Sequence, residues 1–442
     1  MKKMPLIAIV GRPNVGKSAL FNKIVGKKVS IVEDFEGVTR DRVYCDGEWC
    51  GKKFTLIDTG GLDVKSEDVM WSHIREQANI ALDLADAIIF VVDGRAGMTS
   101  NDIEVANILR KTKKPIVIAA NKIDNNETDN IYDFYELALG EVIPVSAIHG
   151  FGVGDLLEAV LTNFEAQDDE SDDEKTIKIA IVGKPNAGKS SLTNKILGVD
   201  RTIVSNIAGT TRDAIDTPFE YKGQKCKIID TAGIRKKASV EEGIEQYSVI
   251  RSLAAIREAD VVLVVVDSYD GFTEQDTKIC GYVHEQGKPS VIVMNKWDLI
   301  EKDTFTINKF NDYLEQELNF MDYFVPVYIS AKTGQRVDKL LDTIFEVYQE
   351  NSKEVSKSIL NEVVADAIVA VEPPSTHGKR LRVFYVTQAQ ANPPVFIFFV
   401  NDQTLVHFSY SRYLENVLRK AFTFKGTPIK LIFRDKKDEE NI

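Results

Sequence analysis

The octapeptide GRPNVGKS, Gly11 to Ser18, constrains this chain more than any other stretch. An apolar run, Pro5-Leu-Ile-Ala-Ile-Val10, precedes it, and a helical pattern, Ala19-Leu-Phe-Asn-Lys-Ile-Val25, follows. Strand, glycine loop and helix in that order are the context in which G-x-x-x-x-G-K-[ST] wraps a phosphate. The arrangement returns 172 residues later as GKPNAGKS, Gly183 to Ser190, after Ile177-Lys-Ile-Ala-Ile-Val182. One match arises by chance at on the order of one position in 30,000. Two matches, each in context, leave chance no part.

The repeat extends well beyond the loops. The offset of 172 also relates Thr39 to Thr211, in GVTRD and GTTRD, and Asp58 to Asp230, in DTGG and DTAG. It is 174 between the strands Ala87–Asp93 and Val261–Asp267, and between Asn121 of NKID and Asn295 of NKWD. It reaches 184 between Ser146 and Ser330. The insertions fall where loops or peripheral helices belong, so one domain is used twice. In the first copy strands are expected at Leu6–Val10, Phe54–Asp58, Ala87–Asp93, Ile116–Asn121 and Val142–Val145. Nearly continuous apolar strands alternating with helices predict an α/β fold, a mainly parallel sheet covered on both faces. Phosphates then sit at the carboxyl ends of the strands.

At 442 residues the chain has room for about three domains of roughly 150 residues. The expected divisions are 1–164, an acidic linker at 165–175, 176–350 and 351–442. Seven of the ten residues from Glu165 to Glu174 are acidic, and self-repulsion predicts a solvated, extended connection. Beyond it the pattern changes. A helix at about Ile359 to Val371, strands at Arg380–Thr387 and Val395–Val400, a helix at about Ser409 to Ala421 and a strand at Ile429–Arg434 predict a small α+β module. The tail from Asp435 is charged and expected to fray.

A hydrophobic fraction of 44% suffices for several cores, and no apolar run approaches a membrane helix of roughly 20 residues. The N-terminus enters the first strand within a few residues, so a cleavable leader would consume it and a cytoplasmic location is expected. Cys45, Cys50, Cys226 and Cys280 form no CxxC pair and read as plain thiols. The net charge of −12 argues against whole-surface nucleic-acid binding, but Thr376 to Lys437 holds eleven Lys/Arg against three Asp/Glu. That basic module keeps an RNA partner in play.

Each loop has an assignable chemistry. The loop Gly11, Arg12, Pro13, Asn14, Val15 and Gly16 would curl its backbone N–H groups round the β-phosphate, as would the loop Gly183, Lys184, Pro185, Asn186, Ala187 and Gly188. Lys17 and Lys189 neutralise β/γ oxygens, while Ser18 and Ser190 place hydroxyls on Mg²⁺. The base is read by Asn121-Lys122-Ile-Asp124 and Asn295-Lys296-Trp-Asp298. A carboxylate there accepts two hydrogen bonds from guanine. Adenine leaves it unpaired, at about 1.5–3 kcal/mol per charged hydrogen bond lost. Ser146-Ala147 and Ser330-Ala331-Lys332 close over the base. The nucleotide expected at both sites is GTP or GDP.

With GxxxxGKS, GxTRD, DTxG, NKxD and SA present twice, the chain resembles the Der (EngA) family of bacterial double GTPases over essentially its whole length. The resemblance implies two tandem P-loop GTPase domains and a C-terminal KH-like module. It implies GTP hydrolysis in service of large ribosomal subunit assembly, with rRNA as partner, no DNA, no membrane and a monomeric chain. It also implies that Thr39 and Thr211 ligand Mg²⁺ with GTP bound and that Asp58 and Asp230 hold the ion through water. Gly61 and Gly233 would sense the γ-phosphate, within Asp58-Thr59-Gly60-Gly61 and Asp230-Thr231-Ala232-Gly233.

Ras-like enzymes orient the attacking water with a glutamine after DxxG. Leu62 and Ile234 stand there instead. Two readings stay open: a pair of nucleotide binders that barely hydrolyse, or K⁺-stimulated hydrolysis. In potassium-activated relatives the residue matching Asn14 and Asn186 ligands a K⁺ ion beside the β/γ bridge, where it neutralises developing charge. Arg40-Asp41 and Arg212-Asp213 read as loop anchors. The cluster Arg235-Lys-Lys237 is either a solvated helix start or a contact made in one nucleotide state.

Lys379, Arg380, Arg382, Arg412, Arg419, Lys420, Lys425, Lys430 and Arg434 are the module's candidates to meet phosphates. Phe384, Tyr385, Phe396, Phe398 and Phe399 are at strand spacing and read mostly as core. KH domains that clamp nucleotides carry a GxxG loop. Gly378 and Gly426 cannot form one, so electrostatic docking on folded rRNA is expected over sequence-specific reading. The rival reading makes one copy a passive guanine-nucleotide sensor that regulates the RNA-binding module.

Overall fold

Seven residues in a row with no water on either side require a strand at the centre of a covered sheet. Ala87–Asp93 and Val261–Asp267 are that strand in each copy, buried throughout. The computed structural model describes residues 4–26, 44–58, 78–79, 81–82, 84–124, 131–162, 164, 176–198, 202–204, 216–229, 244–373, 375–376 and 379–436. The chain divides into two compact units, Met1–Ser171 and Asp172–Ile442.

In the first unit the elements are β1 (Leu6–Val10), α1 (Lys17–Val25), β2 (Tyr44–Trp49), β3 (Lys52–Asp58), β4 (Ala87–Asp93), α2 (Ser100–Leu109), β5 (Ile116–Asn121), β6 (Val142–Pro144) and α3 (Val153–Thr162). The sheet order is β2-β3-β1-β4-β5-β6, parallel except for β2. Alternate residues of one strand enter different cores, as period-2 geometry demands. Ile7 and Ile9 pack with Leu20, Leu157 and Val160, while Ala8 and Val10 pack with Val105 and Leu109. Three of the five expected strands have the expected ends. The second begins two residues earlier, at Lys52, and the last stops at Pro144. Sequence reading missed β2 because Cys45-Asp-Gly-Glu48 carries no apolar run. Its signal was the turn Cys50-Gly51, where both residues take positive φ (48° and 77°), as a tight hairpin requires.

The second unit repeats this plan with β7 (Ile177–Val182), α4 (Lys189–Leu197), β8 (Thr202–Val204), β9 (Thr217–Tyr221), β10 (Gln224–Ile229), α5 (Ile244–Glu258), β11 (Val261–Asp267), α6 (Glu274–Glu285), β12 (Ser290–Asn295), α7 (Thr306–Glu317), β13 (Pro326–Tyr328) and α8 (Val337–Asn351). Its sheet order is β13-β12-β11-β7-β10-β9-β8.

The same unit continues through α9 (Lys357–Ala370), a ribbon of β14 (Ser375–Thr376) and β15 (Lys379–Arg380), β16 (Val383–Gln390), β17 (Val395–Val400), α10 (Phe408–Phe422) and β18 (Lys430–Asp435). The main sheet is mixed: β16 runs antiparallel to β17, and β17 runs parallel to β18. Leu360 and Val364 of α9 and Leu414 and Leu418 of α10 cover Phe396, Phe398 and Val400. The strand expected from Arg380 starts at Val383, because Lys379-Arg380 pairs backwards with Ser375-Thr376. The last strand ends one residue later, at Asp435.

The turn after α10 seats this module against the second nucleotide-binding fold. The N–H of Gly426 donates to Tyr323 O (2.9 Å), and the N–H of Ser290, first residue of β12, donates to Gly426 O (2.8 Å). The N–H of Phe424 donates to Glu350 Oε2 (2.9 Å), and Lys353 Nζ donates to Phe422 O (2.8 Å). Gly426 takes φ 67°, and a Cβ there would lie 2.6 Å from Val347 Cγ2. Only glycine fits. Among the described residues, no helix is long and apolar enough to cross a membrane.

Candidate nucleotide-binding and catalytic sites

Val10, Asp58, Asp93 and Asn121 all end strands at the same edge of the first sheet. The glycine loop lies along that edge and passes too close for side chains. A Cβ at Gly11 would collide with Val91 O, and one at Gly16 with Asn121 Nδ2. Gly183 and Gly188 meet Val265 O and Asn295 Nδ2 in the same way. Gly16 (φ 95°) and Gly188 (φ 98°) also cap α1 and α4 in the left-handed region.

Lys17 Nζ folds back on this loop and donates to Gly11 O (2.8 Å) and Arg12 O (2.9 Å). Lys189 Nζ does the same to Gly183 O (2.6 Å) and Lys184 O (2.7 Å). Burial pushes the Lys17 ammonium down to about 8, against the opposing pull of Asp58. Ser18 Oγ donates to Asp58 Oδ2 (3.0 Å), so a hydroxyl and a carboxylate meet at one point beside the loop. Those are the hard oxygen donors Mg²⁺ takes together with phosphate oxygens and water, and the pair fits that ion. Asn14 (φ 65°) and Asn186 (φ 62°) are left-handed and exposed. Asparagine tolerates that conformation, so the backbone alone gives a reason for it there. Thr39, Thr59, Gly60, Gly61, Leu62, Thr211, Asp230, Thr231, Ala232, Gly233 and Ile234 lie outside the described residues, as do Arg40, Asp41, Arg212, Asp213 and Arg235-Lys-Lys237.

Asn121 and Asn295 have a role that sequence reading missed. Asn121 Nδ2 donates to Val15 O (2.8 Å), and its Oδ1 accepts from the N–H of Ala147 (3.0 Å). Asn295 joins Ala187 O (2.8 Å) to the N–H of Ala331 (2.9 Å). Each buried amide rivets the phosphate loop to the base-closing loop. Lys122 and Lys296 take positive φ and pair with Asp93 (2.6 Å) and Asp267. Burial acts to raise the Asp93 carboxyl, but Lys122 and two backbone N–H groups outweigh it and the net shift is downward.

Asp124 and Asp298, the carboxylates expected to read the base, stand beyond the ends of their strands. Ser146 Oγ donates to Asp124 Oδ1 (2.8 Å), and Arg95 Nη2 lies 2.9 Å from Asp124 Oδ2. The Ser330 hydroxyl holds the Asp298 carboxyl below its ordinary value, aided more remotely by Lys332 and Lys302. Isolated bridges, Ser146 to Phe151 and Ser330 to Gln335, fasten the closing loops.

Asp102 and Asp276 were also missed. Both are wholly buried, each completes a capping box at the start of its helix, and Asp102 Oδ1 stands 3.4 Å from Arg12 Nε in the phosphate loop. The visible signal was the repeated G-x-T-x-x-D of Gly97–Asp102 and Gly271–Asp276.

Of the basic candidates in the last module, several are engaged within the second unit. Arg419 donates to Thr427 O (2.9 Å) and pairs with Glu415, Arg412 donates to Asn319 O (2.9 Å), and Lys425 pairs with Glu346 (2.8 Å). Phe396 and Phe398 are core, as expected, whereas Phe384 is exposed and Tyr385 stacks on Phe399 at 4.4 Å.

Comparison with known proteins agrees with this geometry. Residues 6–122 and 178–296 match the family described as 50S ribosome-binding GTPase. Residues 354–434 match the KH-domain-like C-terminal region of EngA bacterial GTPase enzymes. GTPase Der of Alkaliphilus oremlandii is 53% identical over 433 residues, 98% of each chain. GTPase Der of Clostridium acetobutylicum is 53% identical over 435 residues, 98% of this chain and 99% of its own. Among solved structures, Aquifex aeolicus Era bound to GDP.AlF4- is similar over 59% of this chain and 93% of its own, at 22% identity and a TM-score of 0.31; a likeness of that size carries no argument. With two glycine loops of one geometry, each riveted by a buried asparagine, and relatives matched over 98% of the chain, the chain belongs to the Der family of GTPases.

Proposed function

We propose that the two sites each bind GTP and Mg²⁺ and that their nucleotide state governs association with the large ribosomal subunit during its assembly. The observation that carries this reading is the duplicated rivet. In both copies one buried asparagine ties the phosphate loop to the loop beside Asp124 or Asp298. A guanine nucleotide spanning those loops is thereby felt at both ends. The seat of the KH-like module on β12 supports a mechanical link, because β12 leads directly to Asn295 and Asp298.

In this reading Lys17 and Lys189 leave their loop carbonyls to neutralise the β/γ oxygens. Ser18 with Asp58, and Ser190 with Asp230, would hold Mg²⁺, completed by Thr39 and Thr211 when GTP is bound. Bound there, the ion would supply neutralisation of the phosphate charge. Gly61 and Gly233 report the γ-phosphate. Asn14 and Asn186, exposed at the crest of each loop, would ligand K⁺ in place of a water-orienting glutamine. The remaining motif residues of both copies position the nucleotide. The domains divide at 1–164, 165–175, 176–350 and 351–442, and the protein works as a cytoplasmic monomer. The remaining basic candidates, Lys379, Arg382, Lys420, Lys430 and Arg434, dock on rRNA by charge.

Two experiments test the reading. GTPase rates compared in KCl and NaCl at equal ionic strength should differ at least severalfold, and equal rates refute the K⁺ assignment. Co-sedimentation with large subunits should depend on GDP, GTP or a non-hydrolysable analogue. It should also respond separately to Lys17→Ala and Lys189→Ala. If only one substitution affects both turnover and sedimentation, the passive-sensor reading holds for the other copy.

A further inference from the structure

The two sites differ in the charges beside the carboxylate assigned to the base: His149 Nε2 stands 3.8 Å from Asp124 Oδ1, Lys332 and Lys302 act on Asp298 from further off, and the largest difference is at Arg95. Arg95 lies two residues beyond β4 and Tyr269 two residues beyond β11, at the same offset that relates the two NKxD motifs. Their backbones are placed alike: the N–H of Arg95 donates to Asp93 Oδ1 (3.1 Å) and that of Tyr269 to Asp267 Oδ1 (3.0 Å). Their side chains are not. The Arg95 guanidinium lies 2.9 Å from Asp124 Oδ2. The Tyr269 phenol is largely exposed and carries no charge with which to hold Asp298.

We infer that Arg95 is a latch on the first site, a built-in competitor that guanine must displace from Asp124 and that the second site lacks. Guanine offers two donors, its ring N–H and its exocyclic amine, and a bidentate fit needs both carboxylate oxygens. Oδ1 already accepts from Ser146, with His149 Nε2 3.8 Å away, and a carboxylate oxygen can accept more than one hydrogen bond. Oδ2 faces a full cation. The pair is solvent-exposed, with Arg95 at 71% and Asp124 at 34% side-chain exposure, so its strength is that of a surface ion pair. Removing it should tighten guanine-nucleotide binding about two- to fivefold at low salt. Screening over a Debye length of about 8 Å at physiological ionic strength should shrink the gain. The latch sets the affinity of one site against the other and makes the first the more salt-sensitive. It rests on Asp124 reading the base.

The test uses the full chain carrying Asp298→Asn, so that guanine-nucleotide binding reports the first site. In this background Arg95→Ala and Arg95→Tyr should each bind a fluorescent GDP two- to fivefold tighter at low salt, with a smaller gain at high salt. The gain should be smaller for inosine diphosphate, which lacks the exocyclic amine and needs only one carboxylate oxygen. Conversely, Tyr269→Arg in an Asp124→Asn background should weaken GDP at the second site. Unchanged or weakened GDP binding in both Arg95 variants overturns the latch, as does an equal gain for GDP and inosine diphosphate. No saturable GDP binding in the Asp298→Asn protein overturns both the latch and Asp124 as base reader.

Discussion

Replacing Asn121 by alanine tests how the sites are built. Its amide satisfies the carbonyl of Val15 and the N–H of Ala147, and all three residues are buried. Alanine removes two hydrogen bonds and strands two desolvated backbone groups, at about 1–3 kcal/mol each, for a total of about 2–6 kcal/mol. That is a large part of the roughly 5–15 kcal/mol a domain possesses. Asp124→Ala, by contrast, removes one hydroxyl bond and one exposed ion pair, about 1–2 kcal/mol. Unfolding of this multidomain chain is not two-state, so the readout is hydrogen exchange followed peptide by peptide, with the second unit as internal reference. Asn121→Ala should lower protection in the phosphate loop and in residues 146–151 and weaken GDP binding at the first site at least tenfold, about 1.4 kcal/mol. Asp124→Ala should weaken binding as much with exchange nearly unchanged. If Asn121→Ala costs affinity but leaves exchange in both loops as in the parent protein, the asparagine acts on guanine and the rivet is wrong.

Other consequences are open to direct measurement. Lys17 titrates near 8 in the free site, and a bound phosphate restores its charge. GDP binding to the first site should therefore take up close to half a proton at pH 8, and the Kd should rise up to about tenfold per pH unit above it. Calorimetry in buffers of different ionisation heat measures this, and a Kd constant from about pH 7.5 to 9.5 contradicts it. The same depressed value makes the free unit gain stability as pH rises from about 8 towards the ordinary 10.5, because the unfolded chain then binds more protons. Gly426→Ala places a Cβ against Val347 in a left-handed conformation, at about 2–5 kcal/mol. Urea titration of the second unit should show it, and GDP affinity at the second site should fall with it. Asp102→Ala removes a cap and leaves the Arg12 guanidinium without its nearby carboxylate, at about 2–5 kcal/mol. Exchange in α2 and the phosphate loop should increase together.

The groups proposed for nucleotide chemistry were legible in the sequence, because they lie a few residues apart. The glycine loops, their lysines and serines, and the NKxD carboxylates are set by local spacing and by the strand or helix on either side. Apolar runs such as Ala87–Asp93 declare a buried parallel strand wherever they occur. The duplication was likewise a property of the string alone. What could not be read there depends on contacts between distant segments. Asn121 was legible as a motif residue, but its bonds to Val15 and Ala147 span 106 and 26 residues and exist only after the strands align. The polar strand Tyr44–Trp49 forms because β3 offers it an edge, against its own weak pattern. Gly426 meets Ser290 across 136 residues, a contact that seats the C-terminal module on β12 and that the sequence left open. Arg95 and Tyr269 occupy equivalent places in the repeat, yet only folding sets one of them against a carboxylate. Local spacing determines which atoms are available for chemistry. Tertiary structure decides which of them meet, because a hydrogen bond or ion pair forms only within about 3 Å, whatever the distance along the chain.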